Sequence, residues 1–191
     1  MQLAYTRDLV PGVPGMPYQD WNSLTIVSYP AGAVIQPGVA VELVSGLLYP
    51  LKDAGTTTTF LPKMVGVAMF DPVGGENSYP PATGTNVVSF AGYAVGQMVP
   101  VARKGQVWVQ TDAGGTWPEF AAVNVWHSSD GTHNQGVFTM TAPSATAGAE
   151  IDALGAGVLG VHPAKAGTYT DGFNQSIKVA VVELNLPGTV V

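Results

Sequence analysis

VGQMVPVARKGQVWVQT, residues Val95–Thr111, is the stretch whose reading decides the fold. Val99 and Val101 alternate up to Arg103-Lys104-Gly105, and Val107 and Val109 alternate away from it. A period of two on both sides of a glycine predicts a β-hairpin with one buried face. Pro100 lies in the first arm and has no N–H for a ladder, so that arm is expected at a sheet edge or a bulge. Two of the chain's seven basic residues then stand at the hairpin tip.

The same theme recurs outward from this stretch. Strands are expected over Leu24–Tyr29, Val39–Leu43, Met64–Phe70, Val87–Phe90, Phe120–His127, Gly136–Thr141, Val158–His162 and Ser176–Leu186. In the last of these, Ile177, Val179 and Val181 share one face, and then Val182, Leu184 and Leu186 take over. That change of phase requires a bulge or burial on both faces. Asp71–Thr85 reads as a long loop, and Ala142–Gly157 as a second loop with room for one helical turn at Ala147–Leu154. With 24 Gly and 15 Pro punctuating short strands, the chain reads as all-β, at sandwich-like spacing and almost without helix.

Residues 1–23 form an extended Pro/Gly-rich arm ahead of a β-sandwich over 24–191. LVPGVPGMPYQDW excludes a helix and favours extended or polyproline backbone. Such an arm either packs as a lead-in on its own domain or reaches a neighbouring subunit.

Composition narrows the function. Charged residues are only 10% of the 191, against roughly 25% in ordinary globular chains, so partners rather than water are expected to cover much of the surface. A net charge of −6 without a basic cluster is poor equipment for nucleic acid. Cysteine is absent, which excludes disulfides and thiolate metal sites. No 18-residue apolar run or basic-then-apolar leader is present, so synthesis in the cytoplasm without a membrane span is expected.

The polar residues give no catalytic pattern. His127, Asp130 and His133 could ligate a divalent ion, but they span a Ser/Gly/Asn-rich turn where polar residues belong anyway. Asp71, Glu76 and Asp112 sit beside Gly or Pro in turn contexts, and no serine occupies a GxSxG elbow. Trp108, Trp117 and Trp126 fit either core or interface positions, or the stacking platform of a carbohydrate- or receptor-binding module. A cupin-type metalloenzyme would need His162 to join His127 and His133. No enzyme, metal or cofactor is expected.

Four segments in order carry a family resemblance: AGAVIQPGVAVEL (Ala31–Leu43), VGVAMFDP (Val65–Pro72), VGQMVPVARKGQVWV (Val95–Val109) and VAVVELNLPG (Val179–Gly188). With the strand–DG–strand unit at Asn124–Thr139, the chain resembles the capsid cement, or decoration, proteins of tailed bacteriophages. The resemblance implies a jelly-roll-like β-sandwich of short antiparallel strands. It also implies a homo-oligomer, dimer or trimer, on the outer surface of an icosahedral head in the virion, with the major capsid protein as partner. Under that reading the contact candidates are Pro11, Pro14, Tyr18 and Trp21 of the arm, Tyr79 of the long loop, and Arg103 and Lys104.

Overall fold

A computed structural model describes residues 12–18, 23–51, 64–70, 92–112, 117, 119–127, 134–146, 149–154, 157–161, 166–170 and 176–186. Among the described residues twelve strands run in sequence: β1 (Thr25–Pro30), β2 (Ala40–Val44), β3 (Leu47–Pro50), β4 (Met64–Ala68), β5 (Met98–Gln110), β6 (Asn124–Trp126), β7 (Phe138–Thr139), β8 (Ser144–Thr146), β9 (Ala149–Ala153), β10 (Val158–Val161), β11 (Gly167–Thr170) and β12 (Ser176–Asn185). All strand pairs are antiparallel and form two sheets. The larger runs β10-β12-β5-β4-β2-β3, with β1 on β5 and β11 on β12, and the smaller runs β7-β6-β9-β8. The fold is therefore all-β; the described pairings do not by themselves give a jelly-roll order.

The decisive stretch corrects the hairpin reading. Met98–Gln110 is one 13-residue strand, and its two halves do not pair with each other. The first half pairs with β4 and β1, the second with β12 from Val179↔Gln110 to Asn185↔Lys104. The glycine does bend the chain. A straight strand would hold Val101 and Gln110 about 30 Å apart at ~3.3 Å per residue. Yet Val101 pairs with Ala68, whose carbonyl accepts from Gly38 N, while Gly38 O accepts from Gln110 N at 2.9 Å. The strand must turn sharply at Gly105, where φ is +100°. The register against β1 also shifts between Thr25 and Ile26, opposite Lys104 and Ala102. That bulge at Arg103 explains the misleading alternation. It inverts the phase, so that Ala102 before it and Val107 and Val109 after it face one core cluster.

The bend curls the large sheet into two packing environments. Ala31 N donates to Gln97 O and Gly32 N to Leu48 O, so residues 31–32 join the outer edge of β3 back to the start of β5. Ala31, Ile35, Val41, Leu48, Val65, Tyr93, Val99 and Val101 pack together within this ring. A second cluster joins the large sheet to the small one. Val67, Ala102, Val107, Val109, Val182 and Leu184 meet Val123, Val125, Phe138 and Leu154. At roughly 1.5–3 kcal/mol for each large apolar side chain buried, these two clusters dominate stability.

The phase change in β12 is burial on both faces. Ala180, Val182 and Leu184 enter the inter-sheet core, while Ile177, Val179 and Val181 pack with Trp108 and Val161. The helical turn expected at Ala147–Leu154 is replaced by β8 and β9, which pair Ser144↔Ile151 through Thr146↔Ala149. The sheet edge offered by β6 overrides the helix propensity of this Ala-rich run, because Asn124–Trp126 pairs with β9. Besides β8 and β9, two more strands had no expectation behind them. β3 returns from β2 through Ser45-Gly46, both at positive φ as a type I′ turn requires, and β11 pairs with the start of β12. The expected strand at Val87–Phe90 and the Asp71–Thr85 loop lie outside the described residues.

Residues 12–18 lie against β5 of the same chain. Trp108 N donates to Met16 O, Gly15 N to Trp108 O and Tyr18 N to Gln106 O, at 2.8–2.9 Å. The Tyr18 ring meets the Trp108 indole edge-on, with centroids 5.7 Å apart.

Candidate interaction surface

Antiparallel partners share a face, so the β1–β5 register sorts the side chains of this corner. Val27 and Tyr29 pair with Val101 and Val99 and pack on the ring cluster. Ile26, Ser28 and Pro30 therefore share the opposite face with Ala102, Pro100 and Met98. At the Ala102 end this face enters the inter-sheet core; at the Met98 end it opens to solvent. Met98 is 57% exposed and Ile26 39%. Val95, 67% exposed, precedes Met98 on the turn, and exposed Val34 belongs to the run bridged to it at Ile35↔Tyr93. The result is an uncharged strip of apolar side chains along β1 and the first half of β5. Among the described residues the only strand that β1 pairs with is β5. Exposed apolar side chains along one face, here with exposed Ser28 between Ile26 and Pro30, mark a contact surface, and an uncharged edge accepts strand addition.

Lys104 stands exposed beyond the far end of the strip, paired with Thr25, while Arg103 beside it is 7% exposed. The pair thus lies within a bent strand, with only the lysine presented to solvent. Pro14 is buried against Gly38, and Tyr18 is half-buried on Trp108. Pro11, Trp21 and Tyr79 lie outside the described residues. The structure places four of the seven sequence candidates: Pro14 and Arg103 buried, Tyr18 half-buried and Lys104 exposed. The strip it does form was legible only as parity: Met98 and Pro100 alternate with Val99 and Val101, and Ile26 with Val27.

Among the described residues, Asp112, one of the polar groups considered for chemistry, serves the fold. The Asp112 carboxylate accepts from Trp126 Nε1 at 2.6 Å and from Thr139 Oγ1 at 2.8 Å, and its carbonyl accepts from Lys178 Nζ. It ties the end of β5 to the small sheet. Trp117 is buried and donates from Nε1 to Val181 O at 3.0 Å. With Trp108 and Trp126 also buried, none of the three offers an open stacking face. His127 is buried as well, and Asp130, His133 and His162 lie outside the described residues.

Among the described residues the protein is an all-β fold in which Asp112 ties the two sheets together and an uncharged, mainly apolar strip lies exposed. The sequence matches the family described as structural cement protein (E217 gp24/Pam3 gp6) over residues 1–185. The chain belongs to that family of phage capsid structural proteins. Among solved structures, a chain of "The capsid of Myoviridae Phage XM1" has the same fold, with a TM-score of 0.53 and 13% identity over 94% of this chain and 96% of that one. No curated protein matches the sequence.

Proposed function

We propose that this protein binds the outer surface of an icosahedral phage head and stabilises contacts between major capsid subunits, acting as a dimer or trimer. The observation that carries the reading is the cement-family match across nearly the whole chain. The apolar strip on β1 and β5 supports it, because cementing needs a surface that gains free energy by leaving water. A standard interface buries about 800 Å² per partner, and holding several capsid subunits together calls for several such contacts per copy. Tyr18 and Lys104 are contact candidates that remain accessible on the single chain. An acidic protein with few basic residues suits the outer face, away from packaged DNA. The carbohydrate-binding alternative loses its basis with the burial of Trp108, Trp117 and Trp126.

The test uses heads assembled without this protein. Adding the purified chain should raise their calorimetric disruption temperature and saturate at a fixed ratio to the major capsid protein. An unchanged disruption temperature at saturation refutes the stabilising role.

A further inference from the structure

We propose that Phe120 is an aromatic anchor that inserts into an apolar pocket of the major capsid protein. This deepens the cement reading and rests on it.

Phe120 is 61% exposed and has φ +52°. A bulky L residue is uncommon there, because the left-handed region crowds Cβ against the following carbonyl. Such a conformation persists only where surroundings hold it, and it clusters at functional positions. The surroundings here are specific. Phe120 N donates to Gly160 O at 2.6 Å, and Gly160 N donates back to Ala121 O at 2.9 Å. Ala122 then bridges to Leu159, so residues 120–122 run along the outer edge of β10. On the other side, the chain is fixed at Trp117 by its indole bond to Val181 O. The backbone of Phe120 is thus held from both directions, with its ring left in solvent. Glu119, Ala121 and Ala122 beside it are also exposed, and the two alanines leave the ring standing clear.

Among the described residues no packing contact calls for phenylalanine at this place, where the ring is 61% exposed. Glycine or asparagine would suit the dihedral better, and a polar residue would suit the exposure. Large aromatics held rigidly at a surface are the residues that dominate protein interfaces. Area decides the occupant. One aromatic ring buries on the order of 150–250 Å², far below the roughly 800 Å² per partner of a stable pairwise complex. Phe120 cannot hold two copies of this chain together by itself. It can add to a contact already made elsewhere on a repeating lattice, where a second site gains from high effective concentration. The strip on β1 supplies the other site. Phe120 lies at the β10 end of the sheet, with β12 between it and β5.

The experiment compares wild type with Phe120→Asn, because asparagine tolerates this dihedral. Three readings are taken: the melting temperature of the isolated protein, its sedimentation velocity, and binding to heads that lack it. The expected result is a melting temperature that holds or rises by about 2–4 °C, unchanged sedimentation, and at least a ~30-fold loss of head affinity. Wild-type affinity in Phe120→Asn overturns the anchor and leaves the cement reading standing. A fall in melting temperature of several degrees makes Phe120 structural and also overturns it. Loss of self-association in sedimentation assigns the ring to a second copy, again against the proposal. If wild type itself fails to bind, the cement reading fails and the anchor with it.

Discussion

Gly105→Ala tests the bend on which the large sheet depends. Two costs can be read from the structure. The first is conformational: at φ +100° an alanine carries a penalty of about 1–2 kcal/mol. The second is steric: a methyl on Gly105 would lie 2.6 Å from Leu24 Cδ2 and 2.8 Å from Ser23 O. The leucine tip can rotate away, but the Ser23 carbonyl is backbone leading into β1, so relief means moving β1 or opening the corner. Overpacking of this kind costs about 1–3 kcal/mol. The loss should therefore total roughly 2–5 kcal/mol, a large share of the 5–15 kcal/mol typical of a domain. At about 2–4 °C per kcal/mol, the melting temperature should fall by roughly 4–20 °C.

Gly46→Ala is the matched control. Gly46 has φ +81° in the β2–β3 turn, and nothing lies within 4 Å of a methyl placed there. It carries the conformational penalty alone, about 1 kcal/mol. Both substitutions restrict the unfolded chain equally, so that contribution cancels in the comparison. Equilibrium urea unfolding of the two variants isolates the steric part. If Gly105→Ala loses no more than Gly46→Ala, to within about 0.5 kcal/mol, the corner is not locked against β1 and the account of the curl is wrong.

Two further substitutions address the inter-sheet tie and the strip. Asp112→Ala leaves Trp126 Nε1 and Thr139 Oγ1 without their carboxylate; it should cost about 2–3 kcal/mol in urea unfolding, and a loss under 0.5 kcal/mol would show that the tie contributes little. The double variant Ile26→Glu/Met98→Glu changes exposed side chains only, so stability should shift by no more than about 0.5 kcal/mol per site. Its binding to heads lacking the protein should fall by at least ~10-fold in co-sedimentation; undiminished binding would place the docking surface elsewhere.

The sequence by itself determined what is local. Period-two alternation and glycine and proline spacing suffice for an all-β chain, the low charge content for a surface expected to meet partners, and the ordered motifs for its family. Val123 and Val125, within the strand expected at Phe120–His127, are both buried. The two phases of β12 were visible in Ile177–Val181 and Val182–Leu186, although only the fold shows that both faces are covered. Tertiary structure decided everything that depends on which strand meets which. Valines at 99, 101, 107 and 109 fit a hairpin and a bent strand equally well, because alternation records burial and not the partner. The choice came from β12, some 70 residues on, which occupies the edge that the second arm of a hairpin would have used. The same holds for the surface. Met98 and Ile26 differ from their buried neighbours only in parity, and Phe120 differs only in a dihedral held by the backbone bonds that it and Ala121 make to Gly160. Arg103 and Lys104, adjacent in sequence, part company because a bulge buries one and exposes the other. Local pattern fixes which residues want to leave water; long-range pairing, which no short window contains, fixes which of them succeed.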